Sequence, residues 1–260
     1  MASLSHSFLD ELSGAIDVRI IEWIMDNGYD SDAVIRDVIG SDGADSNIVS
    51  AFSEHFDLKK VSEFVMANAI PDVKVVGISG ATRSGKSQLT RRIERTLGGD
   101  KCTTIHQDHY FDTIKISVQL EGNWDTPDAL DHDRLLAKVM NTISAVKVPN
   151  PNLYGKCCWV ILEGFMMFYD SRLVECIDYF VWLEINKKEC YKRRMATKRE
   201  SKRYFNDWLW PNHQRYRESI FGSDQDNDSL CKDDRFVSID GTMSYSESLQ
   251  TTLSHIGATQ

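Results

Sequence analysis

Neither a Cys-x-x-Cys pair nor a cysteine flanked by histidine at zinc-site spacing occurs in this sequence, although it contains Cys102, Cys157, Cys158, Cys176, Cys190 and Cys231. That excludes the common structural zinc modules and makes reduced thiols in a cytosolic protein the simplest expectation. Long apolar runs are missing too. Stretches such as Cys158 to Leu162 fall far short of the roughly 20 residues that span a bilayer. The N-terminus lacks a charged segment followed by an apolar one, so neither export nor membrane anchorage is expected and the chain reads as cytoplasmic. Excess positive charge is absent as well: 39 Asp/Glu against 30 Lys/Arg give a net charge of −9. Nucleic-acid binding relies on clustered Lys and Arg to neutralise phosphates, and that class is set aside.

What is present is ordinary globular material. The 260 residues are 42% hydrophobic and 27% charged, enough apolar content for one large domain and a small one. The negative charge is not evenly spread. Residues 1–72 hold 14 Asp/Glu against 4 Lys/Arg, whereas the remainder holds 25 against 26.

Residues 1–70 read as a helical extension, with Ile16, Ile20, Ile21 and Ile24, then Val34, Ile35 and Val38, and later Leu58, Val61, Phe64 and Val65 at helical spacing. No catalytic constellation is visible there. The run Trp23 to Tyr29 resembles the loop of ubiquitin-associated domains, and the plainer expectation is a packing or oligomerisation element. Both readings leave a protein partner, or self-association, as the role of this segment.

From Val73 the pattern changes to strands alternating with helices, the signature of parallel βαβ units. Val75 to Ile78 is an apolar strand leading into Gly80-Ala81-Thr82-Arg83-Ser84-Gly85-Lys86-Ser87, and Leu89, Ile93 and Leu97 mark the helix that follows. This is a P-loop in its required context. Its glycines let successive N–H groups face phosphate oxygens, and the helix N-terminus adds partial positive charge. Lys86 can reach the β- and γ-phosphates of ATP, and the Ser87 hydroxyl can ligate Mg²⁺.

Three further features accompany the loop. Asp108 follows a short strand, Thr103 to His106, and can face the γ-phosphate and accept a proton from an attacking alcohol. Glu163 ends another apolar strand, where an acid can hold Mg²⁺ as the Walker B acid does. Residues 187–217 carry 11 Lys/Arg against Glu189, Glu200 and Asp207, which predicts a basic lid over phosphates at about 187–205. Trp124 and Asp125 lie in a turn-rich stretch before a helix over 132–146; the tryptophan is either a substrate wall or a loop anchor. Pro211 suits a helix start or rigid turn. GTPase base-recognition sequences of the Asn-Lys-x-Asp type are missing, which favours a small-molecule kinase.

Taken together, the P-loop, Gln107-Asp108, Asn123-Trp124-Asp125, Ile161-Leu162-Glu163-Gly164-Phe165, Glu189-Cys190, Trp210-Pro211 and Asp240-Gly241-Thr242 resemble nicotinamide riboside kinases within the uridine kinase-like group. The resemblance covers about residues 73–256. It implies a three-layer α/β/α P-loop fold for residues 71–260, with the helical extension 1–70 outside the family core. It further implies Asp108 as general base for the ribose 5′-hydroxyl and a neighbour of the metal, Ser87 and Glu163 as Mg²⁺ residues, and Trp124 as the ring that stacks on the base. Asp125 and Arg194 would contact the ribose, Arg193 the phosphates, and Tyr204 would supply a second stacking ring. Two departures stand out. The family's second acid after the aspartate is His109 here, and the segment between Arg194 and Trp210 is shorter than the family lid and lacks its Pro-Pro-Gly.

The expected activity is ATP-dependent phosphorylation of nicotinamide riboside at the 5′-hydroxyl, with the acid riboside as a further substrate, as in NAD salvage. Uridine or cytidine phosphorylation is the nearest alternative. A nucleotide-sensing regulatory protein is the alternative of another class.

Overall fold

Five short runs rich in Val, Ile, Leu and aromatic residues form one sheet. The structure, a computed structural model, describes residues 71–148, 157–197, 201–222 and 229–258, with Ser50, Ser53 and Val61 as isolated positions before them. The expected N-terminal helices therefore lie outside the described residues. Residues 73–146 and 158–260 group as one compact unit.

The strands are β1 (Asp72–Gly80), β2 (Cys102–His106), β3 (Cys157–Glu163), β4 (Tyr179–Glu184) and β5 (Phe236–Asp240), in the spatial order β2-β3-β1-β4-β5. The pairs β1 with β4, β2 with β3, and β4 with β5 are parallel. Central strands β1, β3 and β4 are buried along nearly their whole length, as expected of a parallel sheet covered on both faces, while β2 and β5 are partly exposed edges. Ile78, Ile161, Phe180 and Trp182 are among the fully buried side chains of this core.

The main helices are α1 (Lys86–Leu97), α2 (His132–Val146), α3 (Lys187–Thr197), α4 (Trp210–Phe221) and α5 (Tyr245–His255). Leu89 and Ile93 bury the apolar stripe of α1, and Gly98 ends it. A reciprocal capping box between Ser244 and Glu247 starts α5. α4 begins at Trp210 with Pro211 in its first turn, where proline is tolerated. The backbone is already helical from Lys202, and residues Phe205–Leu209 form a π-helical turn in which the Trp210 N–H reaches the Phe205 carbonyl. Proline lacks the N–H that would continue the ordinary ladder, and the wider turn just before it accommodates that loss.

From β1 the chain first crosses to β2 and β3 on one side, then to β4 and β5 on the other. The carboxyl ends of β1 and β3 therefore flank a point where strand order reverses, the place where open α/β sheets bind ligands.

Candidate active site

The loop after β1 closes on itself tightly. Gly80 has φ of 136°, and a Cβ there would run into the Leu183 carbonyl of β4, so this position requires glycine. Arg83 also takes a left-handed conformation, φ 61°, unusual for a residue with a side chain and characteristic of functional loops. No side chain caps α1 and no acid sits in its first turn, which leaves its N-terminus suited to an anion. The Lys86 Nζ donates to the Gly80 and Ala81 carbonyls at 2.9 and 2.8 Å. Burial pushes the Lys86 ammonium below the usual lysine range, against the opposing pull of Glu163 and Asp108.

A cavity of about 810 Å³ opens beside this loop, within the range of small-molecule sites. Arg83, Lys86, Arg91 and Arg193 supply cations to its wall; Ser87, Asp108 and Glu163 supply oxygen donors. The Ser87 hydroxyl donates to Glu163 Oε1 at 3.3 Å, and His106 Nδ1 lies 2.8 Å from Oε2 of the same carboxylate. The β2–β3 register explains this contact, because His106 and Glu163 are directly paired at the strand ends. Asp108 follows one turn later, on the 3₁₀ turn Gln107–Tyr110, and is exposed to the cavity. One hydroxyl and two carboxylates on a single cavity wall are hard oxygen donors that fit Mg²⁺, which takes few protein ligands and completes its shell with phosphate and water oxygens. No cluster of three or more His, Cys, Asp or Glu that could hold a metal alone occurs among the described residues.

Trp124 and Asp125 lie on a separate loop whose base is pinned by a bridge between Phe111 and Leu130. The Trp124 ring is 42% exposed and packs edge-on against Phe111 at 5.1 Å, so it is neither sunk in the core nor freely solvated. Phe111 in turn stacks on Phe165, which lines the phosphate cavity. Tyr204 binds this loop through its hydroxyl: it accepts from the Trp124 N–H at 3.1 Å and donates to Asp125 Oδ2 at 2.7 Å. Its ring meets Trp208 rather than Trp124.

The basic segment divides into different duties. Arg193 is held by Glu189 at 2.8 Å and donates to the carbonyls of Arg83 and Gly241, so it fastens the phosphate loop to the turn after β5 while lining the cavity. Arg194 is buried and donates to Thr82 Oγ1 at 2.6 Å. Ala196 and Thr197 complete this wall; residues 198–200 of the expected lid lie outside the described residues.

Several supporting residues have roles that the sequence did not assign. Gln107 is fully buried and its side-chain oxygen accepts from the Met166 N–H. A Cβ at Gly164 would strike that same side chain, which explains the glycine after Glu163. Tyr216 is buried on α4, where its hydroxyl meets Ser79 at 3.0 Å and accepts from the Phe168 N–H at 2.9 Å; burial pushes its phenol well above the usual range. None of the six cysteines forms a disulfide, and no helix among the described residues is long and apolar enough to cross a membrane.

No family model matches the chain. It is 28% identical over 164 residues to nicotinamide riboside kinase 2 of Homo sapiens, covering 56% of this chain and 68% of that protein. It is 29% identical over 139 residues to a uridine kinase of Deinococcus deserti, covering 46% of this chain and 66% of the relative. Nicotinamide riboside kinase 1 of Homo sapiens matches at 27% over 157 residues, 56% of this chain and 77% of that protein. Among solved structures, a sugar kinase from Janibacter aligns at a TM-score of 0.46 with 14% identity, over 72% of this chain and 95% of that one.

Proposed function

We infer that the chain is a member of the uridine kinase-like group of P-loop kinases, and we propose that it transfers the γ-phosphate of ATP to the 5′-hydroxyl of nicotinamide riboside. The carrying observation is that Lys86, Ser87, Asp108 and Glu163, which come from three strand ends, line one cavity. The loop bearing Trp124 and Asp125 adjoins it through Phe111 and Phe165. That arrangement supplies a phosphate cradle, a base and an acceptor platform in one place.

Each residue has a chemical task in this reading. The loop amides and Lys86 hold the β- and γ-phosphates, and Arg193 adds charge from α3. Ser87, Glu163 and Asp108 would hold Mg²⁺, which when bound neutralises phosphate charge. Asp108 accepts the proton of the 5′-hydroxyl as the oxygen attacks phosphorus; a carboxylate needs no unusual basicity, because positioning and charge neutralisation do most of the catalytic work. Asp125 accepts from ribose hydroxyls, and Arg194 beside Thr82 supports the same side of the site. The cationic nicotinamide ring would gain about 0.5 to 2 kcal/mol against the Trp124 face.

The similar identity to uridine kinases favours a second reading, in which the same machinery phosphorylates uridine or cytidine. Purified protein assayed with nicotinamide riboside, nicotinic acid riboside, uridine and cytidine separates the two. The expected result is the highest kcat/KM for a pyridine riboside. A preference for uridine over both pyridine ribosides would overturn the assignment while leaving nucleoside phosphorylation in place.

A further inference from the structure

A second, small cavity of about 10 Å³ has Thr82 of the phosphate loop, Asp125 of the acceptor loop and, from α4, His213 on its wall, the rest of which, Phe165 included, is apolar. Phe165 also lines the phosphate cavity, so the two spaces adjoin. A space of this size holds about one water-sized group, which is the size of one hydroxyl.

His213 is 7% exposed. Its ring lies parallel to Trp182 with centroids 5.8 Å apart and packs on Trp210 at 5.2 Å. Its Nε2 is buried without a hydrogen-bond partner. A phenyl ring would fill the same aromatic slot, so packing alone does not call for a nitrogen there, and a buried polar atom without a partner is costly. Burial first, then Lys86 and Arg217, holds the His213 imidazole down to about 4. At neutral pH the ring is therefore uncharged, with one nitrogen donating and the other accepting. A hydroxyl does both and pairs with either tautomer. Asp125, on the same cavity, accepts only.

We propose that His213 Nε2 contacts a ribose hydroxyl of the acceptor beside Asp125, making it a specificity-determining residue for ribonucleosides over their deoxy analogues. The inference rests on the reading of the acceptor as a nucleoside and adds which part of it α4 recognises. The carboxylate accepts a hydrogen bond from one hydroxyl of the vicinal diol, and the imidazole pairs with the other.

The test compares wild type, His213→Phe and His213→Gln using a ribonucleoside that the wild type phosphorylates, its 2′-deoxy analogue and its 3′-deoxy analogue. Loss of the contact should lower kcat/KM for the ribonucleoside by roughly tenfold in His213→Phe. For one of the two deoxy analogues the variant and wild type should be nearly equal, and His213→Gln, which retains a donor and an acceptor, should recover part of the loss. The KM for ATP should stay constant. Equal losses for all three acceptors in a variant with a cooperative melt would overturn the proposal, assigning His213 to packing alone. If His213→Phe does not fold, the same comparison with His213→Leu decides, since an unaltered ribo-to-deoxy ratio in a variant that has lost the ring nitrogen sinks the contact. A wild type that phosphorylates no nucleoside would instead overturn the parent reading, a result distinct from equal losses in an active enzyme.

Discussion

Tyr204 donates its phenolic proton to Asp125 Oδ2 at 2.7 Å while accepting the Trp124 N–H at 3.1 Å. Residues 80 positions apart are thereby joined, and the basic segment after α3 fixes the loop that would hold the acceptor. A hydrogen bond to a carboxylate contributes more than one between neutral groups, about 1.5 to 3 kcal/mol. Tyr204→Phe should raise KM for the nucleoside by roughly fivefold or more, with little change in KM for ATP. Initial-rate kinetics with each substrate varied in turn would check this. Parallel increases in both constants would mean that the contact supports the whole site rather than the acceptor loop.

Asp108 faces the cavity from an exposed 3₁₀ turn, where its substitution disturbs little packing. Asp108→Asn should leave ATP binding by calorimetry close to wild type, while turnover falls by roughly two to four orders of magnitude. Unchanged turnover would remove Asp108 from proton transfer.

Glu163 is shared between Ser87 and His106. Glu163→Gln keeps the shape and removes the charge. The Mg²⁺ concentration giving half-maximal rate should rise by roughly tenfold or more at saturating ATP and acceptor. Because Ser87 lies in the same network, Ser87→Ala combined with Glu163→Gln should be non-additive in that titration. An unchanged Mg²⁺ requirement in the single variant would mean that Glu163 serves only to orient its neighbours.

Buried His213 also sets a pH dependence of stability. Its value is about 4 in the fold against 6.5 for the free group. Between these limits the unfolded chain binds a proton that the native chain does not, so stability rises with pH and is lost as pH falls from 6.5 towards 4. At about 1.4 kcal/mol per unit of pH within that window, the loss attributable to this residue approaches roughly 3 kcal/mol. Urea unfolding at pH 7 and pH 4.5 should show a smaller acid loss in His213→Phe than in wild type. Equal losses would show that the imidazole is already protonated in the native state.

Tyr216 lies one turn beyond His213 on the same face of α4, where both rings pack on Trp182, and it joins that helix to β1 through Ser79 and the Phe168 N–H. Tyr216→Phe leaves that buried N–H without its acceptor and should cost about 1 to 3 kcal/mol. The drop should appear in thermal melts without a change in the ratio of activities among nucleosides.

Local rules made the strands and helices readable. The alternation of apolar runs with periodic helices placed the core of β1, β2 to within a residue and the end of β3 at Glu163, and α2 spans the predicted 132–146. The P-loop was equally plain, because its glycines, Lys86 and Ser87 are contiguous and its geometry is built from adjacent backbone groups. Pro211 marks the start of α4 as its fixed φ suits, whereas the π turn that joins this helix to the segment from Lys202 carried no sequence signal.

Long-range pairing lay beyond sequence reading. The resemblance implies a stacking ring at Tyr204, yet the approach of its hydroxyl to Asp125 depends on how the segment after α3 returns to the loop before α2. His106 stands beside Glu163 only because β2 and β3 pair in one particular register, and Gly164 is needed only because Gln107 occupies the space its Cβ would take. His213 looks like any helical histidine until Trp182, Trp210 and the cavity with Asp125 surround it. Sequence determined the elements and the phosphate cradle, since both arise from neighbours along the chain. Tertiary packing decided which side chains share the acceptor side, because burial and hydrogen-bond partnership there are set by residues tens of positions apart.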